Sequence, residues 1–267
     1  MEPVNEFMEI CAEAVRRGGE VLRRKFGGRR SIEYKGGIDL VTDADHASEA
    51  VLLEFLRKRS PGAAILAEES GASGSAGGVR FIVDPLDGTT NYAHGLPHFA
   101  VNVAAEDESG LAAGATYDPL RDELFVAGRG RGATLNAEPI HVSDAQEMGR
   151  ALLCTGFPYD VHEHPDPPLR LFGAYLRRAR AIRRLGSAAL DLAYVACGRF
   201  DGFWEMKLKP WDLAPGVLLI REAGGAVADF AGGDRILERG EICAGNAQLH
   251  SELLRVIREV SQPKEDR

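Results

Sequence analysis

Val83-Asp84-Pro85-Leu86-Asp87-Gly88-Thr89-Thr90-Asn91 is the stretch on which the reading of this chain turns. Phe81, Ile82 and Val83 form an apolar run that predicts the end of a buried strand. Pro85 fixes φ and lacks an N–H, so the strand is expected to stop there. Gly88 permits a tight turn, and Thr89, Thr90 and Asn91 are turn or cap residues. Two carboxylates, Asp84 and Asp87, with backbone carbonyls at a strand end suit a hard cation such as Mg²⁺. The N–H groups of Gly88 and Thr89 suit an anion such as phosphate, as a helix N-terminus does. Asp84 to Gly88 taken alone also reads as an ordinary turn with a solvated acid.

Three more acidic segments share this character. Leu66-Ala67-Glu68-Glu69-Ser70 follows the apolar run Ala63-Ala64-Ile65-Leu66, so Glu68 and Glu69 also fall at a strand end, although adjacent Glu residues are frequent on surfaces. In Asp39-Leu40-Val41-Thr42-Asp43-Ala44-Asp45, Thr42 and Asp45 form a capping box for a helix running to about Arg59. Capping alone would account for Asp45. In Lys209-Pro210-Trp211-Asp212-Leu213-Ala214-Pro215-Gly216, Asp212 precedes the apolar helix from Val217 to Ala223 and reads as an N-cap or as a further carboxylate of a site.

Together these segments resemble the inositol monophosphatase family of metal-dependent, lithium-sensitive sugar phosphatases. The D-P-x-D-G-T-x-N string, the upstream Glu pair and the downstream W-D-x-A-x-G segment occur in the family's order and at similar spacing. Asp39-Leu40-Val41-Thr42 with Asp45, Gly186-Ser187-Ala188-Ala189 and Ala223-Gly224-Gly225 extend the resemblance over nearly the whole chain. It implies stacked α-β-α-β-α layers, with an antiparallel N-terminal sheet over 1–138 carrying most metal ligands. A smaller C-terminal α/β part over 139–267 would carry Asp212 and the substrate pocket, completing one catalytic unit.

The resemblance also implies a reaction: Mg²⁺-dependent hydrolysis of a small polyol phosphate, inositol 1-phosphate foremost, by water activated by two or three Mg²⁺ ions. Two such ions about 4 Å apart can clamp both oxygens of an in-line displacement. By resemblance, Asp84 bridges them, with Glu68 and the Leu86 carbonyl on the first and Asp87 and Asp212 on the second. Thr89, oriented by Asp45, positions or deprotonates the water, and the Gly88 and Thr89 amides take phosphate oxygens. Asp87, Gly186, Ser187, Ala188 and Glu205 fall at substrate-contact positions, and Lys35 in the loop that covers the site. Gly186-Ser187 also reads as a plain helix start, and Lys35 as an exposed lysine. Rival substrates within the fold are histidinol phosphate, fructose 1,6-bisphosphate and 3′-phosphoadenosine 5′-phosphate. An alternative of another kind is a regulatory role, bound to transcription or ribosome-assembly machinery. A homodimer is implied by the resemblance alone.

Composition agrees with an enzyme-sized globular chain. Its 267 residues, 45% hydrophobic, can bury a large core. The net charge of −8 and the absence of a basic stripe argue against a nucleic-acid partner. Bound cations would have to reverse this acidic field before an anionic ester could enter. Cys11, Cys154, Cys197 and Cys243 are scattered, without a C-x-x-C, which predicts reduced thiols and a cytoplasmic location. An acidic amphipathic N-terminus and the lack of an apolar run of about 18 residues argue against a signal peptide and a membrane span.

Periodicity predicts helices near 4–25, 43–59, 167–179, 187–198, 212–223 and 246–260. Strands are expected at 63–67 and 79–84, as a meander over 98–104, 111–116, 123–127 and 133–135, then near 151–156, 181–184, 202–206, 226–230 and 241–244. Residues 29–38 read as a basic loop or short hairpin, and 71–78 as a flexible linker. Ala67 departs from the glycine usual in the family, which requires an ordinary φ there. Lys209 stands beside the site, where a cation would lower neighbouring acids or touch phosphate. His162-Glu163-His164 lies among prolines in an expected extended loop and reads as no metal site. His94 and His98 are candidates for the pocket's vicinity. Arg177, Arg178, Arg180, Arg183 and Arg184 read as a solvated face first and as a subunit or substrate contact second.

Overall fold

The computed structural model describes residues 3–28, 32–34, 40–74 and 78–261. Arg29, Arg30, Lys35 and Asp39 therefore lie outside the described residues. Between α1 (Pro3–Lys25) and α2 (Asp43–Arg59) in the chain lie β1 (Ile32–Tyr34) and β2 (Leu40–Thr42), paired antiparallel; of the loop or hairpin expected over 29–38, only the β1 residues are among those described. The capping box of α2 is present: Thr42 Oγ1 accepts from Ala44 N–H, and Asp45 accepts from Thr42 N–H at 2.8 Å.

A large sheet follows, built from β3 (Ala64–Ala67), β4 (Gly71–Ser73), β5 (Arg80–Asp87), β6 (Ala100–Asp107), β7 (Gly110–Asp118), β8 (Glu123–Gly128), β9 (Gly132–Leu135) and β10 (Glu138–Pro139). Its order is β10-β9-β8-β7-β6-β5-β3-β4, antiparallel except for the parallel pair β3 and β5. Short α3 (Thr89–His94) joins β5 to β6. Two expectations fail here. Pro85 does not stop the strand: β5 pairs Asp84 with Asn102 and Asp87 with Ala100, and the register shifts between them. A bulge absorbs the missing N–H of Pro85 while the ladder resumes. The presumed linker after Ser70 is also partly structured, since Gly71–Ser73 adds an edge strand to β3.

The second sheet comprises β11 (Leu152–Thr155), β12 (Ala181–Arg183), β13 (Gly202–Glu205), β14 (Ala226–Ala228) and β15 (Ile242–Gly245) in the order β12-β11-β13-β15-β14. β11 runs parallel to β12 and β13, while β15 is antiparallel to its neighbours. A 3-10 turn at Met148–Arg150 and the helices α4 (Asp166–Leu176), α5 (Ala188–Ala196), α6 (Pro210–Glu222), α7 (Ile236–Arg239) and α8 (Ala247–Ser261) complete the described elements. α4 takes Pro167 and Pro168 into its first turn, where missing N–H groups cost nothing, so the proline-rich stretch is less extended than its composition predicts.

The layers are α1 and α2, the large sheet, α5 and α6, the small sheet, then α4 and α8. One apolar core fills the space between α1, α2 and the large sheet, another surrounds α5 and α6, and a third lies under α4 and α8. α6 approaches the large sheet closely because β7 offers Gly114: a Cβ there would lie 2.9 Å from Pro215 Cα. Among the described residues no helix is long and apolar enough to cross a membrane.

Candidate active site

Each sheet aims a pair of parallel strands at the same place. β3 and β5 end at Ala67 and Asp87, and β11 and β13 end at Thr155 and Glu205. Parallel neighbours bring their C-terminal ends together, so Glu68, Asp84, Asp87, Gly156 and Glu205 all reach one cavity of about 500 Å³. Ser187 and Ala188 at the start of α5, and Asp212 in the first turn of α6, close it.

Oxygens of Asp84, Asp87 and Asp212 lie within 4.8 Å of one another. Burial first, then repulsion from Glu68, Asp87 and Asp212, holds the Asp84 carboxyl well above the usual carboxylate range. Such crowding is costly without a positive partner. Hard oxygen donors gathered this closely fit a divalent cation of the Mg²⁺ or Ca²⁺ kind.

Each carboxylate is held by its own element. Asp84 Oδ1 accepts from Leu86 N–H at 2.9 Å, which shapes the bulge. Asp87 Oδ2 accepts from Ala189 N–H at 2.9 Å and from Ser187 Oγ, so the start of α5 anchors it. Burial raises Asp87, and these donors oppose the rise. Ser187 is both the N-cap of α5 and a donor to Asp87, which joins the two readings of its segment. Asp212 is not an N-cap. α6 begins at Pro210, and Asp212 sits at the third helical position with Oδ2 accepting from Lys209 N–H at 2.7 Å. Proline is favoured at the first position, which shifts the helix start upstream.

Thr89 Oγ1 lies 3.0 Å from the Leu86 carbonyl and 3.2 Å from Asp45 Oδ1. Asp45 thus caps α2 and meets Thr89 as well. Burial pushes the Asp45 carboxyl up to about 6, against the hydroxyl and N–H of Thr42. Gly88 opens α3 with φ 94, a left-handed value that suits glycine. The Asn91 amide donates to Leu185 O at 2.8 Å and to His98 O at 2.9 Å, fixing the Gly186 segment beside α3.

Other residues singled out by the sequence can be placed as well. His98 is half-buried and His94 exposed, and neither lines the cavity. Trp204, the neighbour of Glu205 in β13, is buried in the core with its ring 4.0 Å from that of Tyr175. Lys209 lines the cavity, as does Arg184, so one member of the basic run leaves the solvated face. Arg178 instead pairs with Glu259 at 3.0 Å.

Sequence reasoning missed Asn102, Gly156 and Asp191. Asn102 Nδ2 donates to Trp211 O at 3.2 Å, and its Oδ1 accepts from Thr116 Oγ1 at 2.6 Å. Trp211 O is the carbonyl that the missing N–H of Pro215 leaves open in α6. Gly156 lies against the Glu205 carboxylate, where a Cβ would overlap it. Asp191 had a legible signal, a lone acid within the otherwise apolar α5.

The chain has a five-layered α/β fold with a carboxylate-lined cavity where two sheets converge, and its donor set fits a hard cation. The chain belongs to the inositol monophosphatase family, whose model matches residues 4–262. It is 41% identical over 259 residues to Nus factor SuhB of Salmonella typhimurium, covering 96% of this chain and 97% of that protein. Among solved structures it is similar to extragenic suppressor protein suhB of Bartonella henselae, with TM-score 0.90 and 41% identity over 94% of this chain and 98% of the other. It is also similar to inositol monophosphatase of Anabaena sp. PCC 7120, with TM-score 0.87 and 42% identity over 96% of each chain.

Proposed function

We propose that this protein is a Mg²⁺-dependent phosphomonoesterase acting on a small polyol phosphate, with inositol 1-phosphate the foremost substrate. The observation that carries the reading is the tight group of Asp84, Asp87 and Asp212 on the wall of a cavity that also holds Glu68 and Glu205. Glu68, Asp84, the Leu86 carbonyl, Asp87 and Asp212 would hold two or three ions. Mg²⁺, when bound, supplies charge stabilisation to the phosphoryl group and lowers the pKa of water.

The remaining steps belong to the chain's own groups. Thr89 Oγ1 accepts a hydrogen bond from the attacking water, and Asp45, beside the Thr89 hydroxyl, orients it. The first amides of a helix lack partners within it, so Gly88 and Thr89 take phosphate oxygens. Water adds to phosphorus and releases one proton to solvent, the bond to the leaving alkoxide breaks in line, and the alkoxide takes a proton from solvent. Glu205, Gly186, Ser187 and Ala188 surround the leaving alcohol.

The test is phosphate release from inositol 1-phosphate, histidinol phosphate, fructose 1,6-bisphosphate and 3′-phosphoadenosine 5′-phosphate, with and without Mg²⁺. Asp87→Asn should lower turnover by more than about 100-fold, since even groups supporting a ligand are worth 10–100-fold, while circular dichroism remains native. Turnover that survives in this variant removes Asp87 from the metal site.

A second reading is favoured by one observation: the curated relatives carry the name Nus factor SuhB. Under it, the chain also binds a protein of the transcription machinery. Stable capture of such a partner without phosphate release from any ester would put this role first. A cytoplasmic homodimer belongs to both readings, and light scattering reads the dimer.

A further inference from the structure

α2 buries an uneven face. Its first two turns bury Asp45, Ser48 and Glu49, and its later turns Leu52, Leu53, Phe55 and Leu56. Spacings of three and four place the polar trio on one stripe, and each member holds a different segment of the site. Asp45 meets Thr89. Ser48 donates to Pro85 O at 2.9 Å, within the bulge between Asp84 and Asp87. Gly18 of α1 leaves it room, since a Cβ there would lie 2.9 Å from Ser48 Oγ. Glu49, 5% exposed, accepts from Glu69 N–H at 2.9 Å. Burying a carboxylate is costly, and an apolar residue would simply prolong the Leu52 and Leu53 face. The contact bears on Glu68. Glu68 N–H still follows the ladder and donates to Val83 O at 3.1 Å, whereas the next N–H goes to Glu49. The peptide units on both sides of Glu68 Cα are thus tied, one to β5 and the other to α2. Asp87 is anchored instead by the start of α5, and Asp212 by the first turn of α6.

We propose that Glu49 is a positioning residue: its bond to Glu69 N–H sets the backbone that presents Glu68 to the cavity, and so governs binding of the cation that uses Glu68. This rests on the reading of Glu68 as a cation ligand. The peptide planes leave only two soft dihedrals at each residue, so tying both planes that flank Glu68 fixes where its side chain starts. Releasing one of them lets the carboxylate swing away, and groups that orient a metal ligand matter to affinity for this reason. The close group of Asp84, Asp87 and Asp212 does not include Glu68, and its anchors lie on other elements. Glu49 therefore acts on one part of the cation site and leaves the other part in place.

The experiment titrates Mg²⁺ into wild type, Glu49→Asp, Glu49→Gln and Glu68→Gln by calorimetry, with thermal melts in chelator alongside. Glu68→Gln identifies the binding step that needs Glu68. Glu49→Asp keeps a carboxylate but draws it back by one methylene. It should weaken that step by about tenfold, the lower end for groups that orient a metal ligand, with the remaining binding unchanged. Glu49→Gln keeps an acceptor oxygen at full reach and should bind Mg²⁺ as wild type does. In turnover of inositol 1-phosphate, Glu49→Asp should raise the Mg²⁺ concentration for half-maximal rate by a similar factor. Unchanged affinity in Glu49→Asp, whatever its melting temperature, would overturn the proposal. Equal weakening in Glu49→Asp and Glu49→Gln would do the same, because charge rather than reach would then matter. Amide exchange in metal-free wild type needs no variant to fold: Glu69 N–H should be protected, and free exchange there would also overturn the proposal. If Glu68→Gln leaves all Mg²⁺ binding intact, the ligand reading of Glu68 falls and this proposal with it. The expected pattern of affinities in a protein that cleaves no ester would sustain the proposal while the phosphatase reading falls.

Discussion

Pro215 shows how much a single residue can arrange. It opens a gap in the hydrogen-bond ladder of α6, and the amide of buried Asn102 fills it by donating to Trp211 O. Asn102 stands opposite Asp84 in the β5–β6 ladder. One side chain therefore ties the backbone beside Asp212 to the strand register of Asp84. Asn102→Leu should cost about 1–3 kcal/mol through the unsatisfied carbonyl and also weaken Mg²⁺ binding. Urea melts and calorimetric titration read the two effects, and a stability loss with unchanged affinity would deny Asn102 its positioning role. At this scale the carboxylates were legible in the sequence because each stands in a short string with its own turn chemistry. Asn102 was not, because its meaning depends on a proline in a distant helix. Gly156 was equally silent, since only the position of Glu205 forbids a side chain there.

Elements were legible where periodicity was strong. The meander from β6 to β9 and the alternating order after residue 140 follow from their apolar patterns. Errors gathered where prolines sit: after Asp84, before Asp212 and at the start of α4. In each, local chemistry admitted two outcomes, and tertiary pairing or a helix first turn chose between them. What no pattern announced was the close approach of α6 to β7 over Gly114. Gly114→Val should force the helix outward at a cost of about 1–3 kcal/mol, as overpacking does. Asp212 would move with it, so a lower melting temperature should come with weaker Mg²⁺ binding. A fall in melting temperature alone would mean that the helix adjusts without carrying its first turn along.

Across the whole molecule, buried ionisable groups give stability opposing responses to acid. Burial, reinforced by Arg121, depresses the His98 imidazole to about 4. An unfolded chain takes up that proton below about 6.5, whereas the folded ring refuses it until about 4, so stability falls as pH drops across that window. Asp45 acts in the other direction. With its carboxyl pushed up to about 6, the folded state gains a proton before the unfolded one does, and stability rises as pH drops toward 4. His98→Gln isolates the first contribution. Between pH 7 and pH 5 in chelator it should lose about 1 kcal/mol less than wild type, a figure reduced because the ring keeps some solvent contact. Equal losses in urea melts would mean that His98 does not carry this acid response.

The cavity also has a history written into chain order. Glu68, Asp84 and Asp87 belong to the first sheet, whereas Asp212 arrives with α6, after most of the second sheet's strands have been made. During synthesis on the ribosome, a nascent chain that has emerged only through β9 carries three of these four acids and lacks the fourth. The close group of Asp84, Asp87 and Asp212 is therefore complete only once the late helix α6 has docked on the first sheet.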